Sequence, residues 1–338
     1  MAFMSTTEVP PAELRRARRF PRRLKRAAKV AGIVIVALVV AVTAASFGYN
    51  LATDGPAPRP AHLLFAKGSG WDTRYLEWGT HGPPVVLVPG AFETADAFAK
   101  LGPVLADNHR VFAIDLSGTG YSAPNPPFSA GHLARQILAF VKTQKLTGPN
   151  APILVGHSAG AADVGVAALQ DPGAVKGVVF LDGDATPLGV PSFVGAIASM
   201  VFINPYKTSV LRLALSQDWL IKNIYSSMCG PTCPGLTDAG VNTWRWPLEQ
   251  PGFQAEISYS MRYGITAMTP AQFTALKAAD VPELVVAGVS DPEISHSDAA
   301  LAAQRIGAPP PVYVPGRHLT MIASPRQVAA AIDSLSDR

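Results

Sequence analysis

The pentapeptide Gly156-His157-Ser158-Ala159-Gly160 carries the clearest chemistry in the chain. A serine flanked by glycines, behind the apolar run Ile153-Leu154-Val155 and ahead of an alanine-rich stretch, fits a sharp strand-to-helix turn that exposes its hydroxyl above a sheet. The glycines are needed because side chains there would collide with the neighbouring strand and helix. The pentapeptide alone is a weak signal, and its strand–turn–helix context gives it weight. Ser158 is therefore the candidate nucleophile.

A serine hydroxyl needs a base. Seven histidines are available, namely His62, His81, His109, His132, His157, His296 and His318. His157 adjoins Ser158, but its place on the turn points it away. His62 and His109 begin strands, His132 lies in a helix, and His81 precedes a strand at the wrong end of a sheet. His318, in Pro315-Gly316-Arg317-His318-Leu319, lies between the last strand and the last helix, and catalytic groups of parallel sheets collect at strand C-termini. His318 is the candidate base and His296 the alternative. The acid should end the preceding strand, as Asp291 does, and would fix the imidazole tautomer. Asp182 and Asp184, one strand earlier, are its rivals. The order Ser158, Asp291, His318 is the one known for this geometry. A tetrahedral oxyanion needs two backbone donors. Ala159 supplies one, and Ala91, with Phe92 as the alternative, supplies the other from the loop after Gly90.

Runs at 62–67, 73–78, 84–89, 109–116, 151–156, 175–182, 283–288 and 311–314 read as strands. Most are continuously apolar, as strands buried on both faces must be. Helical patterns fall at 95–107, 129–145, 159–170, 297–306 and 324–335. The alternation predicts an α/β protein, a mostly parallel eight-stranded sheet with helices on both faces. Residues 187–277 break the rhythm, being helical and aromatic-rich with no legible strand. That is too long for a connection inside a compact domain. They read as an inserted helical cap dividing a core of 61–186 and 278–338.

Of 338 residues, 48% are hydrophobic and 15% charged, which excludes disorder over the whole chain. The net charge of +4 is unevenly spread. Residues 1–29 hold nine of the 28 Lys/Arg and two of the 24 Asp/Glu, leaving 19 basic and 22 acidic residues elsewhere. The body is mildly acidic, so nucleic acid is a poor partner. Residues 30–48 follow the basic tail as an apolar run long enough to span a bilayer. The tail then stays cytoplasmic and the body lies outside. The competing reading is a cleaved signal at the small residues Thr43-Ala44-Ala45, giving a secreted protein. Residues 49–60 form a Pro-rich linker. Cys229 and Cys233 could form a local disulfide outside the cytoplasm. Their spacing fails the Cys-x-x-Cys redox pattern, and too few ligands lie nearby for zinc.

Together these residues resemble the α/β-hydrolase superfamily over 61–186 and 278–338. Asp115-Leu116-Ser117-Gly118-Thr119-Gly120-Tyr121-Ser122 looks like the family's loop after the fourth strand, and His318 with Ser324-Pro325-Arg326-Gln327-Val328 looks like its closing helix. Pro89-Gly90 stands where the family often has His-Gly, and a serine nucleophile disfavours haloalkane dehalogenase and epoxide hydrolase chemistry. The resemblance implies a carboxylesterase- or lipase-like enzyme acting through an acyl-enzyme, and the aromatic cap suggests a small hydrophobic ester or acyl substrate. Thioesterases, C–C bond hydrolases and aminopeptidases share the fold. A membrane-tethered binding module without activity is the reading from another class. No Walker motif or Rossmann glycine fingerprint is present, so no nucleotide cofactor is expected, and no metal either. The sequence carries no sign of an oligomeric state.

Overall fold

Residues 22–187 and 203–336 are described by a computed structural model. Short β-branched runs form its centre, with every residue of the strands Pro84–Val88, Ile153–His157 and Gly177–Leu181 buried. In chain order the strands are β1 (Leu64–Gly68), β2 (Trp71–Trp78), β3 (Pro84–Val88), β4 (Arg110–Ile114), β5 (Ile153–His157), β6 (Gly177–Leu181), β7 (Glu283–Gly288) and β8 (Val312–Val314). They make one sheet in the order β1-β2-β4-β3-β5-β6-β7-β8. β1 and β2 pair antiparallel, β2 pairs antiparallel with β4, and β3 to β8 are parallel. This is the mostly parallel eight-stranded sheet that the alternation predicts.

Helices cover both faces. Leu133 and Ile137 from helix Ala130–Thr143, Val164 from Gly160–Gln170 and Ala302 from His296–Ile306 pack with Phe112 and Phe180. Leu101 and Leu105 from helix Leu101–Leu105, with Val328 and Ile332 from Pro325–Ser336, pack with Val85 and Leu181 on the other side. The strand order reverses around β3, whose neighbours are β4 and β5. A parallel sheet opens a crevice at such a switch point, beyond its strand C-termini.

Three expectations shift in detail. The pattern at 95–107 is one 3₁₀ turn, Ala95–Phe98, and one short helix, Leu101–Leu105. Pro103 lacks a backbone N–H, and Gly102 packs so close to Trp78 that an added Cβ would sit 2.4 Å from its ring. The final helical pattern starts one residue later, at Pro325, after a separate turn at Thr320–Ala323. The helix over the apolar run extends from Arg22 to Ala52, beyond 30–48 and into 49–60. Nothing in that span breaks a helix until Asp54-Gly55-Pro56. It forms a unit by itself, with a mean hydropathy of 2.7 over its most apolar 18 residues.

Between β6 and β7 the described residues hold only helices, at Tyr206–Leu215, Asp218–Cys229, Asp238–Arg245, Pro251–Tyr263 and Pro270–Lys277, with a 3₁₀ turn at Trp246–Glu249. Residues 188–202 of the expected cap lie outside the described residues. A disulfide joins Cys229 to Cys233, at the end of helix Asp218–Cys229. Phe180, fully buried in the middle of the sheet, tests the packing. Phe180→Ala is expected to lower unfolding stability by about 3–5 kcal/mol, read from the denaturant midpoint at unchanged slope.

Candidate active site

β5 ends at His157, and Ser158 turns the chain into helix Gly160–Gln170 with φ of +49°. That left-handed conformation is strained for a residue with a Cβ, so its surroundings must hold it. The Ser158 N–H donates to the Leu181 carbonyl at the end of β6, at 2.9 Å. A Cβ on Gly156 would lie 2.2 Å from the Gly160 carbonyl oxygen, and one on Gly160 2.5 Å from that of Pro89. The strand, the turn and the loop after β3 approach this closely only because both positions are glycine.

Ser158 Oγ lies 3.0 Å from His318 Nε2. His318 Nδ1 lies 2.9 Å from Asp291 Oδ2 and 3.1 Å from Oδ1. Gly288 at the end of β7 pairs with Val314 at the end of β8, which brings the Asp291 and His318 loops together. The Asp291 side chain is shut off from solvent, and its Oδ1 also accepts the N–H groups of Glu293 and Ile294 at 2.8 and 3.0 Å. The His318 loop is fixed from both flanks. Arg317 Nη1 donates to the Ser227 carbonyl at 3.0 Å and the Leu319 N–H to that of Met228 at 3.2 Å, both at the C-terminal end of helix Asp218–Cys229. In this geometry Nδ1–H donates to Asp291 and leaves Nε2 free to take the serine proton.

The rivals stand elsewhere. Asp182 is fully buried and accepts the Gly288 N–H at 2.9 Å, the Thr320 N–H at 3.1 Å and the Thr320 hydroxyl at 2.5 Å. It thus fastens the end of β7 to the residue two beyond His318. Burial pushes its carboxyl up to about 7, against the charge of His157 and the Thr320 hydrogen bond. Among the described residues, Asp184 accepts only local bonds, from Thr186. His296 faces the Val289 carbonyl at 3.2 Å and the Tyr313 ring.

After β3 the chain makes a turn closed by the Glu93 N–H to the Gly90 carbonyl, at 3.2 Å, with Phe92 at φ +63°. Among the described residues, neither the Ala91 nor the Ala159 N–H has a protein acceptor. Both residues line the same cavity as Ser158 and His318. The Phe92 ring packs edge-on against Phe253, with centroids 5.7 Å apart.

Sequence reasoning missed Glu93. Its Oε2 accepts the Gly90 N–H at 3.0 Å and lies 2.6 Å from His157 Nδ1. His157 Nε2 reaches the His318 carbonyl oxygen at 2.8 Å. Burial works to raise the Glu93 carboxyl, but His157, the His318 field and the Gly90 N–H together hold it below the ordinary range. The available signal was a carboxylate just past β3 and a histidine buried on β5, the strand beside it.

The cavity of about 660 Å³ is walled by apolar residues such as Leu220, Ile221, Ile224, Trp244 and Phe253. Its charged lining is acidic (Glu93, Asp184, Glu293 and Asp298), with no Lys or Arg among the described lining residues. Glu293 Oε2 approaches His318 Nε2 to 3.6 Å. Among the described residues, no three His, Cys, Asp or Glu cluster as a metal site would require.

A serine, a histidine and a carboxylate aligned at the C-terminal edge of a mostly parallel sheet define the class of hydrolytic α/β enzymes. Residues 85–331 match the model of the Alpha/beta hydrolase family, and the chain is an enzyme belonging to that family. It is 33% identical over 111 residues to 2-hydroxy-6-oxo-6-(2'-aminophenyl)hexa-2,4-dienoic acid hydrolase of Metapseudomonas resinovorans, a match spanning 31% of this chain and 37% of that enzyme. It is 28% identical over 187 residues to pimeloyl-[acyl-carrier protein] methyl ester esterase of Methylococcus capsulatus, spanning 51% of this chain and 70% of the relative. The crystal structure of a membrane phospholipase A, a bacterial virulence factor, superposes with a TM-score of 0.64 at 18% identity, covering 93% of this chain and 95% of that one.

Two further carboxyls are buried, on helices Gly160–Gln170 and Pro251–Tyr263. Among the described residues, Asp163 Oδ1 and Glu256 Oε2 have no hydrogen-bond partner, and Glu256 is pushed up to about 7 by burial, opposed by its bond from Ser260. The unfolded chain ionises Glu256 at the ordinary value, before the folded chain does, so folding loses stability as pH rises through this interval. Glu256→Gln is expected to raise Tm relative to the parent at pH 8 and to leave it unchanged near pH 4, measured by thermal scans at both values.

Proposed function

We propose that this enzyme is a serine hydrolase for neutral, apolar esters, with Ser158 as nucleophile, His318 as base, Asp291 as acid and the Ala91 and Ala159 N–H groups as oxyanion donors. The observation that carries the reading is the continuous hydrogen-bond chain from Ser158 Oγ through the His318 ring to a solvent-free Asp291 carboxylate. His318 Nε2 takes the hydroxyl proton as Oγ attacks the ester carbonyl. Negative charge gathers on the carbonyl oxygen, where the two N–H groups stabilise it. The tetrahedral species collapses to the Ser158 acyl ester, and His318 returns the proton to the departing alcohol. Water, deprotonated by His318, repeats the sequence and releases the acid.

In this reading 61–186 and 278–338 form the hydrolase core and 187–277 the cap that supplies the apolar wall. Charge narrows the substrate. The described lining carries carboxylates and no cation, and residues 188–202, outside the described set, contain no charged residue at all. A substrate with its own carboxylate, such as the dienoic acid of the first relative, would meet like charge with no Lys or Arg of the described lining to pair it. The methyl ester esterase is the relative whose chemistry suits this lining. Residues 30–48 act as a membrane anchor behind the cytoplasmic tail 1–29, the linker 49–60 leading to a body outside. Support comes from the apolar helix Arg22–Ala52 and the basic residues that precede it. In cells the full-length protein should resist carbonate extraction from membranes. A mature chain beginning near Ser46 would show a cleaved signal and secretion instead.

Ser158→Ala is expected to lower turnover of p-nitrophenyl butyrate by at least about 10³-fold without loss of fold, and Asp291→Asn by about 10⁴-fold through the wrong imidazole tautomer. Asp182→Asn should cost less, because that carboxyl fastens loops and does not touch the His318 ring. A reversed ranking of Asp291 and Asp182 would remove Asp291 from the mechanism. Between p-nitrophenyl butyrate and the hemisuccinate, which differ by a terminal carboxylate, kcat/KM should favour the neutral ester by at least about tenfold. Glu293→Gln should narrow that gap, and equal rates would overturn the charge argument.

A further inference from the structure

One buried imidazole spans the two loops on which the proposed reaction depends. His157 is fully buried, and both of its ring nitrogens face acceptors, Glu93 Oε2 at 2.6 Å and the His318 carbonyl oxygen at 2.8 Å. A neutral imidazole has one N–H and can satisfy only one of them, whereas the imidazolium satisfies both. Glu93 Oε2 accepts the Gly90 N–H as well, at 3.0 Å. An unbroken link therefore runs from the backbone just ahead of Ala91, beneath Ser158, to the backbone of His318. The loop it holds is already pressed against the serine, since a Cβ on Gly90 would lie 2.9 Å from Ser158 Cβ.

We propose that Glu93 and His157 are a positioning pair for the hydrolysis, a buried ion pair that keeps the Ala91 N–H and the His318 ring in register with Ser158 Oγ. The proposal rests on the serine-hydrolase reading above. His157 meets no substrate and does not line the cavity. It acts through the His318 carbonyl on one side and, through Glu93, on the Gly90 peptide on the other. Oxyanion donors work within a few tenths of an ångström, and a misplacement of about 1 Å can cost about 10²-fold in rate. A tie at both loops is thus felt in kcat more than in KM.

The titratable groups around His157 are Glu93, Asp182, whose Oδ2 lies 3.8 Å from Nε2, and His318. Burial alone would strip the His157 proton. The Glu93 charge and hydrogen bond, then Asp182 and the His318 carbonyl, outweigh burial and raise His157 to about 9. For a histidine whose folded pKa is raised, the paired state is fully present below the ordinary histidine value and is lost as pH rises through the folded one. Turnover should therefore decline as pH passes about 9.

The test is the pH profile of kcat and KM for full-length protein in detergent micelles, with p-nitrophenyl butyrate, for the parent, His157→Gln, Glu93→Gln and Ser158→Ala. In His157→Gln, kcat should fall at least about tenfold with KM within about twofold, and the alkaline decline should vanish because no titrating group remains in the link. In Glu93→Gln, the amide oxygen still accepts the Gly90 N–H, but the charge that sustains the imidazolium is gone. Its alkaline decline should move down by at least about one pH unit. A merely structural pair would lower Tm in both variants and leave the position of the decline alone. A folded His157→Gln with parental kcat, or with the decline still in place, overturns the proposal. If His157→Gln does not fold, the Glu93→Gln profile decides, and an unmoved decline overturns it. Failure of the hydrolase reading looks different, since Ser158→Ala would then keep parental turnover at every pH.

Discussion

The site depends on a close approach of backbone to backbone. At the end of β5 the chain must reverse from strand to helix in one residue, beneath the loop that leaves β3. It can do so because Gly156 and Gly160 present no Cβ to the carbonyls of Gly160 and Pro89, and because Ser158 accepts a positive φ. The hydrogen bond from the Ser158 N–H to Leu181 ties this strained residue to the next strand. Once the turn is made, the Ala159 N–H sits ahead of a new helix, Ser158 Oγ faces the cavity, and the loop carrying Ala91 lies directly alongside. Every other feature of the site is arranged around a serine that has nowhere else to go.

Charge is distributed in two layers around that serine. Above it, the cavity wall is apolar with carboxylates as its only charged members among the described residues. Below it, His157 and Asp182 are buried beside Glu93, which also reaches the cavity, and each of the three binds backbone as well as side chains. Buried charge is costly unless paired and hydrogen-bonded, and these groups are both. A second such knot lies under β2 and β4. There Asp115 accepts the Ala95 and Tyr121 N–H groups at 2.8 Å each and pairs with Arg74, which also binds Asp96. A Cβ on Gly120 would strike that same carboxylate at 2.2 Å. In both places the carboxylates serve as backbone clamps that fix loops at the C-terminal ends of strands.

The sheet was legible in the sequence because parallel strands buried on both faces leave short β-branched apolar runs bounded by turns and spaced by helical patterns. The turn at Ser158 was legible for the same reason, since its glycines answer a local steric demand. That His318 and Asp291 would stand beside Ser158 could be read from chain order and strand ends alone. What escaped were relations across the sheet. The Glu93–His157 pair joins positions far apart in the chain, and its members carry no local pattern, so only the adjacency of β3 and β5 reveals them. The anticipated helix over 95–107 instead divides into a 3₁₀ turn and a short helix, whose Gly102 packs against Trp78, a residue on another strand. Asp182 and Asp291 were both plausible at strand ends, and the bonds from Gly288 and Thr320 to Asp182 distinguish them in a way that no sequence window contains.

The disulfide has a consequence that reaches the histidine. Helix Asp218–Cys229 ends in the carbonyls of Ser227 and Met228, which receive Arg317 and Leu319 on either side of His318. Helix C-termini fray unless something closes them, and Cys229 bonded to Cys233 closes this one. The last support of the His318 loop is thus a covalent bond that a reducing cytoplasm does not permit and an oxidising space does.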